Sequence, residues 1–201
     1  MTSFLEALRA QRWDDHRYYH HSRANQALHL LSAVSFLCAY AIAFKNPAVA
    51  AIIAWLIAMT SRQAGHFFFE PKGYDEVNQA THEHKEAIKI GYNLRRKVIL
   101  MAIWMVSPAL LYFDPTLLGY FKPASSGTVL VEQIGQIWLL IGLGGLLFRT
   151  IQLFIIKGAQ TGIVWLSKIA TDPFHDVMLY YKSPYYLLRE KLIDPINRRL
   201  A

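Results

Sequence analysis

With 201 residues, 54% of them hydrophobic, the chain carries more apolar surface than a water-soluble domain of this size can easily bury. Its formal charge of +7 comes from basic residues placed between long apolar runs rather than along one face, which argues against a nucleic-acid surface. The one cysteine, Cys38, stands inside an apolar run, so there is no disulfide framework.

Residues 1–23 hold four arginines with Glu6, Asp14 and Asp15, no apolar stretch and no small-residue cleavage site, so they do not read as a signal peptide. A first membrane span is predicted over 27–44, closed by Lys45, Asn46 and Pro47, and a second over 48–69; the gap between them allows only a tight antiparallel hairpin. Residues 71–97 are polar and extramembrane, with Thr81 ahead of Glu83 and Glu86 marking a capped helix start. A third span, 98–113, is expected to kink at Ser107-Pro108, where proline removes a helix hydrogen bond. The fourth is placed at 134–156. Its apolar pattern continues to Ala170, too long at about 1.5 Å per residue to stay upright in one bilayer, so a break is expected near Gly158 to Gly162. From 158 to 201, Trp165, Lys168, Tyr180, Tyr181, Tyr185 and Tyr186 mix aromatics with cations, the composition of an interfacial segment. The expected fold is one all-α polytopic membrane domain of about four transmembrane helices plus that C-terminal segment.

Lysine and arginine are unevenly shared among the loops: four before the first span, seven from Arg62 to Lys97 and seven from Lys157 onward, against Lys45 and Lys122 alone in the other two. Basic residues are retained on the cytoplasmic side, which predicts cytoplasmic termini.

On that topology all eight histidines share one face: His16, His20, His21, His29, His66, His82, His84 and His175. His66 and Glu70 are four apart and stack on one helix side. His29 begins one antiparallel helix and His66 ends its neighbour, so the two can face each other. Were 20–29 a straight helix, His20 and His29 would be about 13 Å apart along the axis, so a shared site requires a break near Ser22 to Asn25, with Asn25 a plausible cap. His21 is a further candidate. His82 and His84, two apart, point to different helix sides, so at most one could join. Arg149 is the only charge well inside a span; it either snorkels to the interface or pairs with a substrate carboxylate.

The run Tyr19-His20-His21-Ser22-Arg23-Ala24-Asn25-Gln26-Ala27-Leu28-His29, followed by Gly65-His66 and Glu70, resembles the small membrane 2-hydroxy fatty acid dioxygenases over roughly residues 18–72, although Arg23 stands where a proline is usual. The resemblance implies a non-haem Fe(II) enzyme that shortens a 2-hydroxy fatty acid by one carbon with O₂. It implies His20, His29 and His66 as iron ligands and Glu70 as a ligand or as the group that orients His66; His175 falls outside it. Two other readings stand beside it: a b-type haem protein with His29 and His66 as the axial pair, and a non-enzymatic membrane module that packs through Gly158-x3-Gly162 and Gly142 to Gly145. Partners expected on the first reading are the bilayer, the fatty acid and O₂, with homo-oligomerisation left open.

Overall fold

A computed structural model describes residues 3–70, 72–76 and 78–195. Pro71, which opens the predicted polar loop, and 196–201, the end of the predicted C-terminal segment, lie outside the described residues. The fold is all-α. Helix α1 spans Phe4–Tyr19, its start fixed by a reciprocal cap between Ser3 and Glu6. Then come α2, Arg23–Ala43; α3, Pro47–Phe69, capped by Asn46 with Pro47 in its first turn; and α4, His82–Ile88. The chain continues through α5, Leu94–Phe113; α6, Gly127–Lys157; α7, Ala159–Tyr180; and α8, Ser183–Leu188.

Four of these, α2, α3, α5 and α6, are long and apolar enough to cross a membrane. Three begin at least four residues earlier than hydropathy suggests: α2 at Arg23, α5 at Leu94 and α6 at Gly127, because Ser22, Asn93 and Ser126 accept hydrogen bonds from the backbone of Asn25, Arg96 and Val129. Hydropathy marks where the apolar surface starts, whereas the caps decide where the helix does. Helix α5 is interrupted at Ser107-Pro108, and α6 ends at Gly158, whose φ of +88° turns the chain into α7.

Lipid tails are as apolar as leucine, so the spans are held by close contact rather than by the hydrophobic effect. Small residues allow that contact. Ala33, Ala39, Ala48, Ala51 and Ala58 are buried along α2 and α3. A Cβ on Gly135 of α6 would come within 2.5 Å of the Ala48 carbonyl oxygen, so glycine is needed where these backbones cross. Leu31, Ile57, Ile103, Leu147 and Ile151 point outward. A tryptophan cluster ties α5 to the rest: Trp104 stacks on Trp55 at 5.3 Å, and Trp55 Nε1 donates to the Trp138 carbonyl at 2.8 Å.

The C-terminal segment packs into the bundle. Helix α7 lies against α1, α2 and α6. It buries Lys168, Asp172, Asp176 and Tyr180, which are four residues apart and hence on one side. These polar groups are matched within the protein: Lys168 meets Asp172 at 2.6 Å and Asp15 at 2.5 Å, and Arg12 meets Asp172 at 3.4 Å.

Candidate metal centre

The break between α1 and α2 brings His20 to His29. Ser22, rather than Asn25, is the cap: its hydroxyl accepts from the Asn25 backbone at 3.5 Å, while Asn25 Nδ2 reaches back to the Tyr19 carbonyl at 2.7 Å. Ser22 directly precedes the helix, the position from which a short side chain reaches the first free N–H groups. The bend is also clasped from the far end of the chain, since Arg23 N donates to the Leu192 carbonyl and Asp194 N to that of His21, both at 2.8 Å. His66 comes from α3, which runs in π geometry over Gly65–Phe69, a local widening frequent at functional sites. Gly65 lets α2 and α3 approach here: a Cβ would lie 2.2 Å from Asn25 Oδ1 and 3.4 Å from His29 Cδ2.

The result is a buried group of His20, His29 and His66 whose ligand atoms lie within 4.8 Å of one another, near the spread that bonds of about 2 Å to one ion impose. Ring centroids are 4.0 Å apart for His20 and His29, 5.0 Å for His29 and His66 and 5.4 Å for His20 and His66.

The surroundings select which nitrogen faces inward. His66 Nδ1 is 2.7 Å from Glu70 Oε2, and a carboxylate only accepts, so Nδ1 carries the proton and Nε2 the lone pair. Burial pushes the Glu70 carboxyl up, but Lys89, 3.4 Å away, favours the ionised form. His20 Nδ1 lies 2.9 Å from the Tyr180 hydroxyl, which is also 3.3 Å from His16 Nδ1. Tyr180 has one proton to give, and burial, reinforced by Asp176, raises its pKa well above the usual value. Burial holds both His16 and His20 below the usual imidazole range and so neutral. Neutral imidazoles allow either order of donation through Tyr180; the order in which His20 Nδ1–H donates to Tyr180 and Tyr180 donates to His16 avoids an unpaired buried N–H on His20 and leaves its Nε2 as the free base. Asp176 Oδ2 stands 3.7 Å from His29 Nδ1. Burial would raise the Asp176 carboxyl, but Arg62 at 2.8 Å and His29 outweigh it and keep it low and ionised. Nε2 of His20 and both ring nitrogens of His29 are buried with no hydrogen-bond partner, a cost of about 1–3 kcal/mol for each group left unmatched unless something binds there.

Three imidazoles that converge in this way suit a divalent transition metal, iron(II) included. A haem ligated by His29 and His66 would have to fit between two rings whose centroids are only 5.0 Å apart, with the His20 ring against both.

Of the remaining candidates, His21 is buried but outside the group, His82 and His84 begin α4, and His175 is half-buried on α7. Arg149 spends its guanidinium on the carbonyls of Ile90 and Gly91 and on Gln152, pinning the loop before α5 to α6. Tyr180 and Asp176 were not anticipated; their signal was the four-residue spacing of Lys168, Asp172, Asp176 and Tyr180, which puts a polar stripe on one side of a helix.

The three histidines line a cavity of about 460 Å³. One part is polar, with Asp15, Tyr19, Lys89 and Lys168; the other is apolar, with Phe36, Trp55, Met59, Met101 and Trp138. Trp55 is eleven residues before His66, about 16 Å along the helix. No family model, no curated protein and no solved structure matches the chain.

Proposed function

We propose that this protein is a metal-dependent membrane oxygenase acting on a lipid, with Fe(II) held by His20, His29 and His66 and a 2-hydroxy fatty acid as substrate. The observation that carries the reading is the pairing of buried, unclaimed imidazole nitrogens with an apolar cavity that runs into the membrane-spanning helices. Such a cavity accepts an acyl tail while the head stays at the histidines.

The net reaction balances without an outside reductant. A 2-hydroxy acid R–CH(OH)–COOH and O₂ give R–COOH, CO₂ and water; the C1–C2 bond breaks, and the four electrons lost by carbon reduce O₂. A bound iron would supply the O₂ chemistry. The chain's own residues do the rest. Glu70 and Tyr180 hold His66 and His20 in the tautomer that presents Nε2, and Asp176 favours the same one in His29. The apolar wall formed by Phe36, Trp55, Met59 and Trp138 excludes water from the tail. The basic-residue asymmetry supports a site that, with both termini, faces the cytoplasm.

The test is metal analysis and an absorption spectrum of detergent-purified protein prepared without chelators. Iron without a Soret band is the expected result. A Soret band, or no metal at all, overturns the reading.

A further inference from the structure

Resting on that reading, we infer that Lys97 is the residue that binds the substrate carboxylate. Four cationic side chains line the cavity among the described residues: Arg62, Lys89, Lys97 and Lys168. Three are already neutralised. Arg62 pairs with Asp176 at 2.8 Å. Lys89 pairs with Glu86 at 3.0 Å and Glu70 at 3.4 Å, and its ammonium lies 3.8 Å from the centre of the Tyr19 ring. Lys168 is held between Asp15 and Asp172 at 2.5 and 2.6 Å. Lys97, partly buried in the first turn of α5, makes no ion pair and no side-chain hydrogen bond with any of the described residues.

A cation withdrawn from water and left unpaired is costly, and proteins normally neutralise it with a carboxylate. Lys97 lines the same cavity as His20, His29 and His66, together with Leu100 and Met101 of its own helix. An anion in the cavity would complete it. Arg149, the cation expected from sequence to take this part, has its donors on Ile90, Gly91 and Gln152 and does not line the cavity.

The chemistry of the ligand follows. A fatty acid brings one carboxylate, and the cavity offers one uncommitted cation next to three imidazoles and a long apolar wall. With the carboxylate on Lys97, the C2 hydroxyl is delivered toward the histidines and the tail toward Trp55 and Trp138. Lys97 is thus a determinant of specificity: it favours the free acid over its esters.

The experiment is equilibrium binding of 2-hydroxypalmitate and of its methyl ester to the iron-loaded, detergent-purified protein, the Lys97→Met variant and the Lys97→Arg variant, with iron content and thermal unfolding recorded for each. The wild type should bind the acid about ten- to a hundredfold more tightly than the ester, the range of a hydrogen bond to a charged group. Lys97→Met should bind both with the ester's affinity while keeping its iron and its unfolding temperature, and Lys97→Arg should keep a preference for the acid. If Lys97→Met still prefers the acid, or if the wild type binds acid and ester alike, Lys97 is not the carboxylate site although the oxygenase reading survives. If the wild type binds neither compound, the oxygenase reading itself fails.

Discussion

Replacing Gly65 with alanine probes the contact on which the metal centre depends. The new Cβ would sit 2.2 Å from Asn25 Oδ1 and 3.2 Å from its Cγ, whereas ordinary contact begins near 3.4 Å, a shortfall of about 1.2 Å. Asn25 cannot simply swing aside: it is wholly buried, and its Nδ2 donates to the Tyr19 carbonyl at 2.7 Å. Either that bond is lost, at about 1 kcal/mol, or α2 and α3 separate and His29 and His66 move apart. Overpacking of this kind costs about 1–3 kcal/mol, and displacing a ligand by an ångström is enough to lower metal affinity sharply. Iron per chain and the unfolding temperature, measured in one detergent, should both fall in Gly65→Ala. Asn25→Ala in the same chain removes the clashing oxygen and should restore much of the iron. Full iron and an unchanged unfolding temperature in Gly65→Ala would refute the argument that close packing at Gly65 sets the ligand spacing.

His20→Ala, His29→Ala and His66→Ala should each lose most of the bound iron, while His175→Ala should retain it; the reverse pattern would move the site to α7. Tyr180→Phe removes the hydroxyl partner of His20 Nδ1, and Glu70→Gln weakens the hold on His66. Each should lower metal affinity about 10- to 100-fold, and titration with Fe(II) under anaerobic conditions would expose a failure of either. Asp176→Asn leaves Arg62 without its anion and should cost about 2–3 kcal/mol of stability, below the range for fully buried pairs because the Arg62 side chain keeps 17% of its exposure. Equal unfolding temperatures would deny that pair a structural role. Reporter fusions at residues 46 and 122 should read as external and one at 201 as cytoplasmic; inversion at any of them would break the common-face placement of the histidines.

The spans were legible because long apolar runs leave few alternatives, and the three histidines because each stands at a span end. His29 near the start of α2 and His66 near the end of α3 follow from an antiparallel hairpin closed at Lys45 to Pro47. What sequence could not supply is the pairing of distant elements. Tyr180 meets His20 and Asp176 meets His29 only because α7 packs against α1 and α2, and no local pattern specifies that contact. The aromatics and cations of α7 suit a membrane surface equally well, so its four-residue polar stripe does not by itself say what it packs against. Arg149 carries the same lesson: an isolated charge within a span suggests a ligand, but its partners are the carbonyls of Ile90 and Gly91, whose approach depends on how the loop after α4 folds back.

The clasp of residues 192–194 on the backbone of His21 and Arg23 has a consequence for biosynthesis. His20 leaves the ribosome early, but the strands of chain that bend it toward His29 are separated from it by about 170 residues, roughly 10–30 s of elongation at 5–20 residues per second. Tyr180, which orients its imidazole, arrives almost as late. During that interval α2 and α3 can insert and pair while His29 and His66 lack their third companion, so the nascent chain has no complete site with which to capture a metal. On the proposed reading, loading would wait for α7 and the segment that follows it, and a translation arrest before α7 should yield a membrane-inserted hairpin that carries no iron.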